Sequence, residues 1–393
     1  MGPPGQCKSW NSESETFEVL RCLFAQTSKV LSERMNTTLY ILWFTECDRS
    51  QQNLVGGKCA NLGEMLQANV RVPPGFAITT HAYRHFMHEH RIGGEITRML
   101  ASLDSDDIDQ AEETSRAIRE LMEATPMPAA IADAICFAYQ ELCAECHVTD
   151  LPVAVRSSAT AEDLPGASFA GQQETILWVR SAESVLRNTV LCWSSLFTAR
   201  AIAYRQAMGF PHEKVHMSVG VQKMANSRAA GVMFTLNPIN GDRSKIAIDS
   251  SWGLGESVVS GVVTPDNYLV DKVTEGILQR KISPKLIEHV PNHAAGRVEI
   301  ADVPAERQNV ASLNDDEILN LTILAKCIEG YYHVPMDIEW GIDGDLEFPE
   351  NVMLLQCRPE TVWSSKPPMR VIQQSGTALD FVVANMLKGV RVR

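Results

Sequence analysis

Residues 153–175 read Val153-Ala-Val-Arg156-Ser-Ser-Ala-Thr-Ala-Glu-Asp163, then Leu164-Pro-Gly-Ala-Ser-Phe-Ala-Gly171-Gln-Gln-Glu-Thr175. The apolar run after Pro152 predicts a strand with Arg156 at its end. Small hydroxylated residues follow, then a loop of Gly, Ala and Ser. In such a loop backbone amides can point inward on a polyphosphate, while the guanidinium forks onto two of its oxygens. A loop with such small side chains can also close over phosphates and exclude water. A surface loop held by a structural ion pair is the plain alternative, and the rest of the chain has to decide between them.

Upstream, a strand pattern at Leu39-Tyr-Ile-Leu-Trp-Phe44 leads to Asn53-Leu-Val-Gly56-Gly57-Lys58. Cys59, Leu62, Met65 and Leu66 then recur at helical spacing, so the glycines read as a turn opening a helix. Two glycines and a lysine beside a helix N-terminus suit a phosphate. Cys59 stands where a P-loop carries Ser or Thr, and alone the stretch reads more simply as a helix cap. Downstream, Asp337-Ile-Glu339-Trp340 and Leu354-Leu-Gln356-Cys-Arg358 alternate polar with apolar residues. Asp337 then shares a strand face with Glu339, and Gln356 with Arg358. If paired, these strands gather two carboxylates, an amide oxygen and a guanidinium. Such oxygen donors suit Mg²⁺, which fills its other positions with water and substrate phosphates. A cross-strand salt bridge on a sheet surface is the alternative.

With 393 residues, 45% hydrophobic and 21% charged, the chain is long enough for two lobes. Residues 1–36 read as a polar N-terminal extension, with Met35 as an alternative start. Residues 37–225 read as a first lobe, mainly helical over 80–147. Residues 226–365 read as a strand-rich second lobe, with strands expected at 229–236, 245–250, 267–271, 336–340 and 352–356. A helix is expected at 312–330, capped by Asn314 ahead of Asp315, Asp316 and Glu317. Residues 366–393 read as a C-terminal tail. The net charge of −13 repels phosphate backbones and anionic lipid. No stretch approaches the roughly 20 apolar residues of a membrane helix, and the start has no secretory pattern. Ten scattered cysteines suit a reducing compartment. The expectation is a cytoplasmic protein with neither nucleic acid nor membrane as partner. Cys143-Ala-Glu-Cys146-His147 matches the C-x-x-C-H spacing of haem attachment, but Cys146 continues the apolar face of a helix, which favours a packing role.

Taken in order, five stretches carry a resemblance. They are Val55-Gly-Gly-Lys-Cys-Ala-Asn-Leu-Gly-Glu-Met65, Ala154-Val-Arg-Ser-Ser-Ala-Thr-Ala-Glu-Asp163, Ser168-Phe-Ala-Gly-Gln-Gln-Glu-Thr175, Trp252-Gly-Leu-Gly-Glu256, and Met336-Asp-Ile-Glu-Trp340 with Gln356-Cys-Arg-Pro-Glu-Thr361. Over about residues 38–365 the chain resembles the nucleotide-binding domain shared by phosphoenolpyruvate synthase, pyruvate phosphate dikinase and rifampin phosphotransferase. The resemblance implies an α+β, ATP-grasp fold with ATP held between two lobes. It implies that Lys58 and Arg156 hold the phosphates, that Gly171 and Thr175 belong to the loop covering them, and that Gln222 lies by the adenine. Glu339 and Gln356 would carry Mg²⁺ with Asp337 nearby, and Arg358 would stabilise charge on the phosphoryl group in transfer. Cys59 and Cys357 stand where small residues are common, a departure expected to leave function intact. In full-length relatives the phosphoryl group passes to a histidine in a Thr- and Gly-rich motif, a setting that none of the ten histidines here has. The expectation is therefore a subunit that splits ATP to AMP and phosphate and relies on a separate phosphohistidine-carrying subunit. It is similar to the smaller subunit of phenylphosphate synthase, with phenol as a candidate final acceptor. A truncated or split phosphoenolpyruvate synthase is the alternative, and a non-catalytic nucleotide-binding module a third reading.

Overall fold

The computed structural model describes residues 39–103, 107–160, 163–164, 167–168, 175–292 and 295–363. The extension at 1–36 and the tail at 366–393 lie outside them. The chain lays down β1 (Ile41–Trp43), α1 (Gln52–Gln67) and β2 (Gly75–Ile78). Helices α2 (Thr80–Glu89), α3 (Ile92–Ala101), α4 (Ile108–Ala124) and α5 (Ala129–Glu145) precede β3 (Val153–Ala159). A short ribbon, β4 (Asp163–Leu164) with β5 (Ala167–Ser168), leads to β6 (Thr175–Val179), α6 (Ala182–Ser194), α7 (Ala199–Ala207) and β7 (Met217–Lys223). These build a five-stranded antiparallel sheet ordered β1-β2-β7-β3-β6.

The second half supplies β8 (Ser227–Phe234), β9 (Lys245–Trp252), the single turn α8 (Glu256–Val259), β10 (Asp266–Asp271) and β11 (Ile277–Lys281). A separate ribbon of β12 (Ile287–Asn292) and β13 (Arg297–Asp302) comes next. Then follow α9 (Ala305–Gln308), α10 (Asp315–Tyr332), β14 (Met336–Asp343) and β15 (Val352–Pro359). A six-stranded antiparallel sheet runs β11-β10-β9-β8-β14-β15. Mixed helix and antiparallel sheet make the fold α+β. The packing divides the chain into one unit ending at Pro359, which holds both sheets, and another from Glu360 onward. Within the latter, the Glu360 carboxylate accepts from the backbone N–H groups of Val362 and Trp363.

Local chemistry explains the elements that matter here. Helix α10 starts on a reciprocal cap: Asn314 Oδ1 accepts from Glu317 N at 2.9 Å, and Glu317 Oε2 accepts from Asn314 N at 3.0 Å. Its buried face, with Ile318, Leu321, Ala325 and Ile328, follows the helical period. The described apolar interior falls into two clusters. One joins the first sheet to α2–α6, with Phe76, Ile118, Ile135 and Trp193 at its centre. The other joins the second sheet to α10 and also takes Phe44, Val55, Cys59 and Met65 from the start of the chain. Helix α1 therefore serves both sheets, and Asn61 Nδ2 donates to Cys357 O at 3.1 Å on β15. Among the described residues no single helix is long and apolar enough to cross a membrane.

The glycine pair opens the longer part of its helix, as the sequence suggested: α1 spans Gln52–Gln67 as two helical pieces joined by a kink at Gly56, whose φ of 71° and ψ of 171° are not helical. Strand β7 has no counterpart in the sequence reading. Its run Met217-Ser-Val-Gly-Val-Gln-Lys223 is buried on both faces and therefore lacks the alternation that marks a half-exposed strand.

A buried ion pair fixes one edge of the second sheet. Lys285 and Asp266 are both 0% exposed and meet at 2.6 Å. Asp266 also accepts from Ser283 N at 3.0 Å and from Ser312 N and Oγ at 2.9 and 2.8 Å. Lys285→Met leaves that carboxylate buried without its cation, and a loss of about 3–5 kcal/mol is expected in urea denaturation at neutral pH. The double variant with Asp266→Leu should recover part of this. A double variant no more stable than Lys285→Met would contradict the pairing.

Candidate functional site

The β14–β15 hairpin places Asp337 opposite Arg358 and Glu339 opposite Gln356, with the register shifting only after Glu339. Directly opposed side chains of an antiparallel pair are close enough to act together. Arg358 donates to Asp337 Oδ2 from Nε at 2.9 Å, and its Nη2 lies 2.8 Å from the same oxygen. This carboxylate holds the guanidinium along one edge.

Arg156 reaches the hairpin from the other sheet. Its Nη1 donates to Leu355 O at 2.8 Å and Gln222 Oε1 at 3.2 Å, and its Nη2 to Gln356 Oε1 at 2.7 Å and Glu339 Oε2 at 3.0 Å. The side chain is 12% exposed and that of Glu339 28%, so one guanidinium ties β3 and β7 to β14 and β15. Its Nε is buried without a partner among the described residues. Gln222 lies opposite Ala154 on β7 and donates to Pro73 O at 3.4 Å. Lys58 of α1 donates from Nζ to Ser157 O at 3.1 Å. Thr175 sits opposite Arg156 on β6 and is exposed. Gly171 lies outside the described residues.

These side chains line one cleft of about 810 Å³: Lys58, Arg156, Thr175, Gln222, Glu339, Gln356 and Arg358 all face it. Asp337 is not among the lining residues and acts on the cleft through Arg358. The volume is that of an ordinary small-ligand site. Apolar and small groups close the rest, including Ala154, Leu177, Met224, Leu254, Val259 and Leu355. Lys223, Arg200 and Glu256 also line it, and none carried a role in the sequence reading. The signal for Glu256 was there in Trp252-Gly-Leu-Gly-Glu256, which leads into the single turn α8. Lys223 and Arg200 had none, because only folding brings them to the cleft.

Among the described residues no three His, Cys, Asp or Glu side chains gather as a metal centre. A two-ligand arrangement does fit a hard cation, since Glu339 Oε2 and Gln356 Oε1 converge on the same Arg156 nitrogen. A cation of Mg²⁺ type takes two such oxygens and completes its shell with phosphate and water. Removing the guanidinium should therefore be felt in stability as well as binding. Arg156→Met is expected to cost about 2–3 kcal/mol in denaturant unfolding. An unchanged transition would mean that Arg156 does not link the sheets.

The thiols in these motifs are packing groups. Cys59 and Cys357 are buried, and burial pushes the Cys59 thiol up to about 11, so it stays protonated. Cys143 is buried, and burial also raises the Cys146 thiol. Both close α5, as the helical pattern suggested.

Cations from α1, β3 and β15 around paired oxygen donors, beside an apolar wall, give the cleft groups that suit phosphate oxygens. The chain belongs to the family described as "Pyruvate phosphate dikinase, AMP/ATP-binding domain", which matches residues 52–378. It is 45% identical over 346 residues to a probable phosphoenolpyruvate synthase of Staphylothermus marinus, covering 83% of this chain and 42% of that protein. It is 44% identical over 351 residues to the phosphoenolpyruvate synthase of Aeropyrum pernix, covering 83% of this chain and 43% of that protein. A probable phosphoenolpyruvate synthase of Methanocaldococcus jannaschii is 44% identical over 322 residues, covering 82% of this chain and 27% of that protein. The chain thus spans less than half the length of these relatives.

Proposed function

We propose that the chain is an ATP-grasp module in which ATP sits between the two sheets and a phosphoryl group leaves for a histidine outside these 393 residues. The observation that carries this reading is the convergence of Lys58, Arg156 and Arg358 with Glu339 and Gln356 in one cleft. Lys58 and Arg156 hold the phosphates, and Gln222 with the backbone beside it flanks the base. Thr175 and Gly171 belong to the covering loop. For Arg156 this means exchanging part of its hold on Glu339 and Gln356 for phosphate oxygens. Glu339 and Gln356 would hold Mg²⁺, which when bound offsets phosphate charge. Arg358, fixed by Asp337, faces charge that develops as the phosphoryl group moves.

The overall balance we propose is dikinase-type: ATP, water and histidine become AMP, inorganic phosphate and phosphohistidine. The relatives' name, phosphoenolpyruvate synthase, supports pyruvate rather than phenol as the final acceptor. It also supports an acceptor histidine that belongs with the remainder of such an enzyme, carried on a separate polypeptide or another segment.

The test mixes the chain, ATP labelled at the β- or γ-phosphate and Mg²⁺ with the histidine-bearing remainder of a phosphoenolpyruvate synthase. Label from the β-phosphate is expected on an acid-labile protein adduct, with AMP and phosphate released. ADP as the sole nucleotide product would refute the dikinase balance. Binding of ATP with no transfer to any histidine partner would favour a non-catalytic module.

A further inference from the structure

Two adjoining hollows lie in the helical half of the first unit, and no residue of either lines the main cleft. The larger, about 550 Å³, is walled mainly by apolar groups such as Tyr83, Met87, Ile96, Leu100, Phe197 and Val215. The smaller, about 350 Å³, is polar and includes Asn53, Thr80, His81, Thr160 and Lys214. Arg84 and His216 line both, so the two hollows adjoin at these side chains, the apolar one on one side and the polar one on the other, as two ends of a recess around Arg84.

The charge of this recess runs against that of the chain. Arg84, Arg91 and Lys214 stand there with the imidazoles of His81, His88, His212 and His216, and among the described residues Glu213 is the one lining carboxylate. The whole chain carries −13. Behind the wall lies Arg205, 1% exposed. Its Nε donates to His212 Nδ1 at 2.9 Å, and its guanidinium carbon is 5.5 Å from the Phe197 ring. Both its terminal nitrogens are buried without a hydrogen-bond partner among the described residues. A buried cation without a counter-ion is costly, and burial draws Arg205 down to about 10. His81 and His216 are held below the usual histidine range by burial and then by Arg84. Burial and Arg205 do the same to His212. Among the described lining residues, Arg84, Arg91 and Lys214 thus outnumber the one carboxylate, Glu213, beside an apolar chamber.

We propose that it binds a small organic anion, with an oxyanion head held by Arg84, His81 and Lys214 and an apolar body seated among Phe197, Leu100 and Met87. Oxyanions are the groups that a forked guanidinium and clustered imidazoles recognise. The apolar hollow alone, about 550 Å³, suits a body of one or two rings rather than a lone inorganic ion.

The test is calorimetric titration of the full chain with 1-naphthyl phosphate and with neutral 1-naphthol. The phosphate is expected to bind at least about tenfold more tightly than the alcohol. Arg84→Met, a change at an exposed position that leaves the core alone, should weaken the phosphate about tenfold. Arg358→Ala, in the main cleft, should leave it within about twofold. Equal binding of the alcohol, full affinity in Arg84→Met, or loss of binding in Arg358→Ala each overturns the proposal, and the last would place the probe in the main cleft.

Discussion

Arg358→Ala is expected to bind ATP within a few-fold of the parent and to lose about 10³–10⁵ in the rate of phosphoryl transfer, the range spanned by arginines that meet transition-state charge. The reasoning starts from the hairpin. Arg358 lines the cleft beside Gln356 and Glu339 and is held by Asp337, whereas Arg156 is the guanidinium that joins the sheets. Removing Arg358 leaves the bonds of Arg156 in place, so ground-state binding should persist while the charge proposed to face the moving group is gone. Arg358→Lys should rescue little, because an ammonium cannot present a planar edge to Asp337 and a second one to a phosphate. Asp337→Asn should lose less, about tenfold, since it loosens the guanidinium without deleting it. Single-turnover quench measurements separate the rate from the affinity. Equal losses in both would make Arg358 a uniform binder of ATP, and an unchanged rate would remove it from the transfer step.

The parts of this arrangement that the sequence exposed are those with local periodicity. The alternation in Asp337-Ile-Glu339 and Gln356-Cys-Arg358 set the faces, and the two strands do pair in a register that brings these side chains together. Asn314 announced α10 because a cap is a matter of one turn. What stayed hidden depends on long-range closure. Arg156 promised a phosphate fork, but its companions Gln222 and Leu355 O come from strands far along the chain. Strand β7 gave no alternating signal because both its faces are covered. Helix α1 reads as part of a first lobe, yet Val55, Cys59 and Met65 pack in the core of the second sheet. The recess around Arg84 assembles residues from α1, α2, α3 and 212–216, no two stretches of which form a recognisable motif.

The glycine pair teaches the same lesson through a large expected effect on folding. Gly56→Ala should destabilise the chain by about 4 kcal/mol, the sum of backbone strain and overpacking of roughly 1–3 kcal/mol each. At φ 71° and ψ 171° only glycine is at ease. A Cβ there would stand 2.1 Å from Ser158 O and 2.4 Å from Ser158 Oγ. The close approach is built for a purpose within the protein. Ser158 Oγ donates to Val55 O at 2.9 Å and accepts from Cys59 N at 3.3 Å, so a hydroxyl from β3 fills the gap in the α1 hydrogen-bond ladder. One turn on, Lys58 reaches Ser157 O. The Gly-Gly-Lys and Arg-Ser-Ser stretches thus dock on each other before either meets a phosphate. Gly94→Ala is the control: it sits in α3 with nothing within 4 Å of the new Cβ and should gain about 0.5–1 kcal/mol. Denaturant midpoints compare the two, and a Gly56→Ala chain within about 1 kcal/mol of the parent would disprove the docking. Because Gly56 serves the fold, its loss lowers nucleotide binding without saying what cradles the nucleotide. Lys58→Met keeps Gly56 and the Ser158 plug while deleting the cation, so a fall in ATP affinity there, at unchanged stability, assigns the phosphate contact to the lysine.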